Sequence, residues 1–340
     1  MDYKTSDFDF GIPTELVAQI PVEPRDSSKL LVLRRASQSI THDRFFNLKN
    51  YLKKGDALVF NDSRVIPARL RGNLGDMEPV TVLLLRKMAG PFWEALMEQG
   101  KVKKNDVVNF TGFTGLITEV KESIGKRGEA LVNIHTEDDS KIDNAGEPPV
   151  PPYIHGYKGD PERYQTVYSR IRGSAAAPTA GLHFTDRLLE EIRQMGVSLC
   201  FVTLHVGIDT FMPVMEATPK EHKMYTEFCV MSTETAEKLN SIRAKGGRII
   251  GVGTTSVRTM ESAHDGKEFK PYNEWTSIYI LPGYKFKSID SMITNFHYPK
   301  STNLMMISAL GGYDFIKKAY LEAVQCNYRF YSFGDSMIIL

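Results

Sequence analysis

The stretch GSAAAPTAGLHFT, residues 173–185, surrounds one imidazole, that of His183, with four alanines, two glycines and one proline. Small residues let a backbone come close to a bound molecule, and they leave few side chains able to do chemistry. Periodic sequence lies on both sides of the stretch, YQTVYSRI before it and DRLLEEIRQMGV after it. We therefore interpret it as a loop held between regular elements.

The helix expected after this loop bears on the charge and the role of His183. Thr185 or Asp186 can cap that helix, whose Leu188, Leu189 and Ile192 fall at amphipathic spacing. A helix N-terminus disfavours a nearby cation, so His183 is predicted to stay neutral and to serve as a base. The alternative is a Gly/Pro connection whose histidine only satisfies local hydrogen bonds.

Length and composition are those of an ordinary globular protein. The chain has 340 residues, which predicts about two domains. It carries 42 Lys and Arg against 41 Asp and Glu, a formal net charge of +1. Bulk charge therefore does not indicate a nucleic-acid partner, and any such partner would have to meet a local patch.

The cysteines and the N-terminus bear on the compartment. The three cysteines, at positions 200, 229 and 326, are far apart and odd in number, which argues against a disulfide scaffold and against thiolate metal clusters. The first residues, MDYKTSDFDFGIP, lack an apolar signal region, and no run reaches the roughly 18 apolar residues of a membrane helix. A reducing cytoplasm and no membrane association are expected.

The pattern of apolar and polar residues changes along the chain and predicts an inserted module. Residues 1–69 and 150–340 have mixed α/β texture, with strands expected at Lys29–Leu33, Ala57–Phe60 and Arg248–Val252 and an amphipathic helix from Phe45. Residues 70–149 instead show short alternating runs, such as VTVLLLRK and GLITEV, bounded by turn residues. Such runs predict an antiparallel β module, either a small barrel or a sandwich.

Polar clusters follow several of the predicted strands. Asn61, Asp62 and Ser63 follow the strand ending at Phe60, where they can line a site or form a simple Asx turn. GVGTTSVRTMES, residues 251–262, predicts a strand, a glycine turn and a helix start whose amides can bind a carboxylate or phosphate. The stretch lacks the lysine of a P-loop and the full glycine pattern of a dinucleotide fold.

The histidines indicate a cleft and no metal. None of the eight forms an H-x-x-x-H or H-E-x-x-H pair, so a metal site is not expected. His183, His205, His222 and His297 each stand at a predicted element end. Acid/base groups at several element ends predict one cleft built from distant segments, although each histidine alone is more often structural.

Many blocks, in order along the chain, resemble one family: the S-adenosylmethionine:tRNA ribosyltransferase-isomerases of queuosine biosynthesis. The blocks that carry the resemblance are FDFGIPTELVAQIP, RDSSKLLVL, GDALVFNDSRVIPARL, PPYI, ERYQTVYS, APTAGLHFT, VTLHVG, GRIIGVGTTSVRTMES, ITNFHYPKST and YRFYSFGDSMII. They cover essentially the whole chain apart from the β module.

The resemblance implies a reaction and a fold. The ribosyl unit of S-adenosylmethionine would be transferred to 7-aminomethyl-7-deazaguanine (preQ1) at wobble position 34 of tRNA, giving epoxyqueuosine-tRNA, adenine and methionine. The implied fold is mixed α/β: a large domain with a distorted antiparallel β-barrel flanked by helices, and a smaller inserted all-β barrel. The implied protein is a monomer without a prosthetic group or metal, and S-adenosylmethionine is its substrate.

Residue types within these motifs give expected roles. The catalytic candidates are His183 as the base, His205 and His297 as second acid/base groups, and Asp62 as a carboxylate that binds an ammonium or orients a histidine. Those for binding S-adenosylmethionine are Thr179, Gly181, Gly253, Thr254, Thr255, Ser256, Arg258 and Asn295, with the methionine carboxylate at the helix start beside Arg258. Those for tRNA phosphates are Arg64, Arg69, Arg163 and Lys300, and Lys101, Lys103 and Lys104 of the β module are a further possibility.

Two departures from the family pattern keep alternatives open. Asp209 stands where a small residue is frequent, and Tyr225 stands where a second histidine is expected. A catalytically inactive RNA-binding paralogue would bind tRNA without consuming S-adenosylmethionine. Another S-adenosylmethionine-dependent RNA modifier, such as a methyltransferase, would release S-adenosylhomocysteine in place of adenine.

Overall fold

The computed structural model describes residues 3–75, 78–88, 90–98, 101–120, 127–136, 139–147, 150–151, 153–155, 157–207, 213–224 and 226–340. The chain divides into two compact units. The first comprises Met1–Ser63, Pro151–Arg170 and Pro178–Leu340, and the second comprises Arg64–Val150 and Ile171–Ala177. The domain boundaries expected at 69/70 and 149/150 stay a prediction.

The strands and helices of the described residues are numbered in chain order. The strands are β1 (Lys29–Arg34), β2 (Ser39–Arg44), β3 (Ala57–Asn61), β4 (Ser63–Val65), β5 (Arg69–Leu74), β6 (Glu78–Lys87), β7 (Phe92–Glu98), β8 (Val107–Phe110), β9 (Phe113–Val120), β10 (Arg127–His135), β11 (Gly146–Glu147), β12 (Ile171–Ser174), β13 (Ser198–Leu204), β14 (Glu227–Met231), β15 (Ile249–Val252), β16 (Tyr272–Thr276), β17 (Ser291–Asn295) and β18 (Ser336–Ile339). The α-helices are α1 (Asp139–Ala145), α2 (Asp186–Gln194), α3 (Thr233–Ala244), α4 (Thr254–Ser262), α5 (Thr302–Gly311) and α6 (Tyr313–Gln325).

The first unit is built on a nine-stranded mixed sheet with the order β16-β14-β13-β3-β15-β17-β18-β1-β2. Its central pairs β13–β3, β3–β15 and β15–β17 are parallel, and so is β1–β18, whereas the other pairs are antiparallel. All five residues of β3 and all four of β15 are buried. Central strands buried on both faces account for the continuous apolar sequences ALVF and IIGV.

Successive side chains of the central strands enter two different cores. Leu58 and Phe60 of β3 pack with Leu188 and Ile192 of α2 on one face. Val59 packs on the other face, in a core that also contains buried side chains of α3, α4, α5 and α6. The period of two along a strand thus accounts for helices on both sides of the sheet.

Two of the local predictions around this sheet concern helices. Thr185 caps α2 by accepting a hydrogen bond from Leu188 N at 3.2 Å, as predicted. The helix predicted from Phe45 is present as the 3₁₀-helix Phe45–Tyr51. Phe45 and Leu48 are its buried residues, and their i, i+3 spacing places both on one face of a 3₁₀-helix.

The second unit contains a closed six-stranded antiparallel barrel with the order β5-β6-β7-β10-β9-β8, closed by β5–β8. A Cβ on Gly72 of β5 would lie 2.7 Å from the Asn109 carbonyl oxygen of β8, so only glycine fits at this closure. The mixed α/β class and the inserted barrel are confirmed. The large sheet mixes parallel and antiparallel pairs, where an antiparallel barrel was expected. β4 and β12 form a separate two-stranded ladder.

Across the described ranges, none of the helices combines the length and apolar character that a membrane crossing requires.

Candidate active site

Four neighbouring parallel strands of the first unit end at the same edge of its sheet. Val202 of β13 pairs with Asn61 of β3, Phe60 of β3 with Val252 of β15, and Val252 with Ile293 of β17. Neighbouring strands lie about 4.8 Å apart. The residues that follow, 61–62, 203–205, 253–256 and 294–297, therefore form one row, which we call the carboxyl edge.

His183 lies in a 3₁₀ turn, Thr179–His183, that contacts this row. Its Nδ1 lies 2.8 Å from Ser28 Oγ, and its Nε2 lies 3.2 Å from Asn295 Nδ2. The ring also packs on Phe45, with centroids 5.0 Å apart. Both ring nitrogens of His183 are thus engaged by neighbours inside the first unit.

The imidazole of His183 is held in its neutral form. Burial lowers its pKa to about 3, and the charges of Arg163, Arg329 and Arg25 act in the same direction. The sequence predicted a neutral ring from the dipole of α2. Burial, with His183 only 4% exposed, is the larger cause.

Small residues let the turn that carries His183 sit tightly against its surroundings. A Cβ on Gly181 would lie 1.9 Å from the Tyr168 hydroxyl, so no larger residue fits there. Ala180 Cβ lies 3.6 Å from the position that a Cβ on Gly253 would occupy. The alanine-rich and glycine-rich sequence thus brings this turn onto the end of β15.

Asp62, at the end of β3, is a buried carboxylate with two side-chain partners. Thr203 Oγ1 donates to Oδ1 at 2.7 Å, and Arg170 Nε donates to Oδ2 at 2.8 Å. Asp62 is 2% exposed, whereas the Arg170 side chain is 64% exposed. One end of this ion pair is therefore open to solvent.

A second buried carboxylate, Glu227, lies at the start of β14. Arg258 of α4 donates to its Oε2, and Gly207 N donates to Oε1 at 2.9 Å. The Glu227 and Arg258 side chains are 3% and 8% exposed. The guanidinium of Arg258 is thus balanced by a carboxylate that the sequence reading did not identify.

The start of α4 follows β15 directly. Gly253 is the N-cap residue and has φ +86°, a conformation that favours glycine. It offers no side-chain cap to the first amides of α4. Thr255 is buried, and its Oγ1 lacks a hydrogen-bond partner among the described residues, whereas Ser256 donates to Val252 O at 2.7 Å.

The other two histidines differ in their partners. His205 follows β13 and is half-buried, and its Nδ1 has no hydrogen-bond partner in the described part of the chain. Burial lowers its pKa, and the charge of Asp62 opposes that shift. His297 Nε2 lies 2.8 Å from Thr294 Oγ1, and burial lowers the pKa of His297 to about 3.

The four cations expected at tRNA phosphates lie in different places. Arg163 donates to Glu23 and to Val22 O, and Lys300 Nζ lies 3.0 Å from Asp9 Oδ2. Both belong to the first unit. Arg64 and Arg69 are half-buried in the second unit, where Arg69 donates to Val150 O at 3.1 Å.

The carboxyl edge contains half of the site residues expected from the sequence: Asp62, His205, Gly253, Thr254, Thr255, Ser256, Asn295 and His297. Ser28, Arg170, Thr203 and Glu227 were missed, although Ser28 and Thr203 stand inside quoted motifs. Glu227 begins the alternating strand EFCVM with a buried charge, and a charge at an inward position was the available signal. Asp209 and Tyr225 lie outside the described residues.

No group of three or more His, Cys, Asp or Glu side chains is arranged to hold a metal ion in the ranges that the structure covers.

Comparisons with known proteins identify the family of the chain. A protein family described as "Queuosine biosynthesis protein" matches residues 5–339. A protein of Symbiobacterium thermophilum named S-adenosylmethionine:tRNA ribosyltransferase-isomerase is 48% identical, covering 99% of this chain and 100% of its own length. A protein of Dehalococcoides mccartyi with the same name is 46% identical, covering 99% of this chain and 100% of its own length.

A solved structure extends the likeness to the fold. The crystal structure of S-adenosylmethionine tRNA ribosyltransferase from Thermotoga maritima is 36% identical in sequence, covers 98% of this chain and 100% of that one, and has a TM-score of 0.58. The chain therefore belongs to the queuosine biosynthesis protein family, as its ordered sequence motifs predicted.

Proposed function

We propose that the carboxyl edge is the active site at which this chain acts as an S-adenosylmethionine:tRNA ribosyltransferase-isomerase. The enzyme transfers and isomerises the ribosyl moiety of S-adenosylmethionine onto preQ1 at wobble position 34 of tRNA. Epoxyqueuosine-tRNA forms, and adenine and methionine leave. The observation that carries the assignment to this edge is the meeting of buried polar groups from β3, β13, β15 and β17 with the turn that holds His183.

The reaction requires a base that removes a proton beside the sulfonium. We propose His205 for this step, because its Nδ1 has no partner in the described chain and Asp62 favours its protonated form. His183 has both nitrogens engaged and a pKa near 3, which makes it a weak base. Burial also lowers the pKa of His297 to about 3, so its ring is neutral near pH 7 and we do not assign it the proton that adenine takes on leaving.

The methionine part of S-adenosylmethionine is a zwitterion. We propose that its carboxylate binds at the start of α4, where the amides of residues 254–256 and the Thr255 hydroxyl are available. Arg258 adds a positive charge, and Glu227 offers a carboxylate to the ammonium. Thr179, Gly181 and Gly253 would line the same space, since the turn that carries Gly181 contacts the end of β15.

The RNA partner is a tRNA with preQ1 at its wobble position. We propose that Arg64, Arg69, Arg163 and Lys300 contact its phosphates. Arg163 and Lys300 would have to exchange Glu23 and Asp9 for phosphate oxygens. A monomer, a cytoplasmic location and the absence of a prosthetic group belong to the same proposal.

Product analysis tests this function. The protein is incubated with S-adenosylmethionine and preQ1-containing tRNA, and the digested nucleosides and small molecules are identified by mass spectrometry. We expect epoxyqueuosine, adenine and methionine, and no reaction with tRNA that carries guanine at the wobble position. Release of S-adenosylhomocysteine would indicate a methyltransferase, and tRNA binding without turnover would indicate an inactive paralogue.

A further inference from the structure

The side-chain amide of Asn295 has one orientation that satisfies its neighbours. Its Nδ2 lies 3.2 Å from the Tyr331 carbonyl oxygen and 3.2 Å from His183 Nε2. A carbonyl oxygen only accepts hydrogen bonds, so the amide atom facing it must be the NH₂ group. The two hydrogens of that group account for both contacts.

This orientation fixes the tautomer of His183. Nε2 accepts from Asn295, so the proton of the neutral ring is on Nδ1, which then donates to Ser28 Oγ at 2.8 Å. The imidazole is held from both sides. Its role in this arrangement is to act on the amide of Asn295, since a lone pair at Nε2 keeps the NH₂ group turned toward it.

The remaining amide atom of Asn295 is an acceptor without a partner. Oδ1 is buried in a residue only 2% exposed, and it has no hydrogen-bond partner among the described residues. A buried amide oxygen left unpaired is costly, so Oδ1 is an acceptor that a donor group of a bound molecule can satisfy. Asn295 ends β17 and therefore belongs to the carboxyl edge.

The charges around this acceptor indicate the kind of donor it takes. Three arginines, at positions 163, 329 and 25, each lower the pKa of His183 and so disfavour a further positive charge beside its ring. A positive surrounding disfavours an ammonium group near Asn295. A neutral hydroxyl meets both conditions, because it donates to Oδ1 and carries no charge.

We infer that Asn295 Oδ1 accepts a hydrogen bond from a ribose hydroxyl of S-adenosylmethionine, and that His183 is a positioning residue that keeps this oxygen facing the ligand. The inference rests on the proposed function, which supplies the ligand. It separates two residues of the same cluster by role. Asn295 contacts the ligand, and His183 acts through Asn295.

Ligand binding tests the contact. The full-length protein is titrated with S-adenosylmethionine and with its 2′-deoxy and 3′-deoxy counterparts, with and without an anticodon stem-loop carrying guanine at the wobble position. The wild-type protein should bind one deoxy ligand about threefold to tenfold more weakly than S-adenosylmethionine, the value of one hydrogen bond. Asn295→Leu should bind all three ligands with equal affinity.

Two matched variants keep the test decisive. Asn295→Ala removes the amide without adding bulk, so it should bind all three ligands with equal affinity even if Asn295→Leu folds poorly. His183→Phe should reduce the wild-type preference for the hydroxyl without removing any group that contacts the ligand. Unchanged discrimination in Asn295→Leu, or equal binding of all three ligands by the wild-type protein, would overturn the contact.

The orientation has its own readout. Nitrogen-15 NMR of the His183 ring at neutral pH should show a protonated Nδ1 and a lone pair at Nε2. The opposite tautomer, or an imidazolium, would overturn the positioning role. A wild-type protein that binds none of the three ligands would overturn both the contact and the proposed function, while the NMR result would still report how the amide is turned.

Discussion

Two sets of residues, each including members of the carboxyl edge and their partners, bury ionisable groups in opposite ways. The histidine cluster, formed by Ser28, Phe45, His183, Asn295 and Tyr331, holds His183 through neutral hydrogen bonds and an aromatic contact. The second set, which we call the carboxylate cluster, consists of two separate groups, Asp62 with Arg170 and Thr203, and Glu227 with Arg258; in each, a buried carboxylate lies beside a guanidinium group.

The difference follows from the cost of burying a charge. An imidazole can give up its proton near neutral pH, so burial removes the charge and leaves hydrogen bonds to be satisfied. A carboxylate beside an arginine keeps its charge, so its burial requires that partner to stay in place. We therefore expect the histidine cluster to respond to pH and the carboxylate cluster to the loss of one partner.

The largest expected effect is the loss of Glu227. Glu227→Leu leaves the Arg258 guanidinium buried without its carboxylate, and the free energy of unfolding should fall by about 3–5 kcal/mol. Urea unfolding of the variant and the wild-type protein measures this change in the free energy of unfolding. The double variant Glu227→Leu, Arg258→Met should recover most of this loss, and the surface control Glu190→Gln should change stability by less than about 1 kcal/mol. A single variant as stable as wild type would show that the pair is not buried in solution.

The next effect is acid sensitivity. His183 has a lowered pKa in the folded protein, so the unfolded chain binds more protons than the folded one at pH values below the ordinary histidine pKa. Stability should therefore fall as the pH decreases from about 6.5 toward 3, by up to about 1.4 kcal/mol per pH unit for this residue. Urea midpoints measured from pH 8 to pH 4.5 give the slope.

His183→Phe provides the control for that slope. The phenyl ring keeps the contact with Phe45 but removes the acceptor for Asn295 Nδ2, so stability at pH 8 should fall by about 1–3 kcal/mol. The loss below pH 6.5 should be smaller than in wild type, because one titrating group is gone. Equal slopes in the two proteins would mean that His183 is protonated in the folded state.

The smallest expected effect on stability is that of Asp62→Asn. Arg170, its ionic partner, is mostly exposed, so the ion pair should contribute less than about 1 kcal/mol. The asparagine oxygen can still accept from Thr203. Activity at pH 6–8 should fall more than stability does, since the charge that favours protonated His205 is lost. A stability loss as large as that of Glu227→Leu would remove the distinction between exposed and buried partners.

The sequence predicted the elements of this edge better than the contacts within it. The strands β1, β3 and β15 and the cap of α2 could be predicted because apolar runs and cap residues are local signals in the sequence. The helix from Phe45 was also predicted, but its 3₁₀ type was not, because its apolar spacing fits an α-helix as well as a 3₁₀-helix.

Contacts between residues far apart in the chain could not be predicted from the sequence. Ser28 and His183 are 155 positions apart, and Glu227 and Arg258 are 31 apart, so neither pair leaves a periodic pattern. The role of each histidine depends on which ring nitrogen meets a partner. That property belongs to the packed site and leaves no local pattern in the sequence.

The side chain of Asn61 decides where β3 leaves the large sheet. Its Nδ2 donates to Leu204 O at 2.9 Å, and its Oδ1 accepts from Leu204 N at 3.0 Å and from Ser63 N at 3.1 Å. The carboxamide thus takes the place of one peptide group, and its hydrogen bonds to Leu204 extend the β3–β13 pairing by one residue beyond the last backbone pair. The chain can therefore leave the sheet at Asp62 while β13 keeps its hydrogen bonds. A shorter or longer polar side chain at residue 61 would move the end of β3 and, with it, the Asp62 carboxylate.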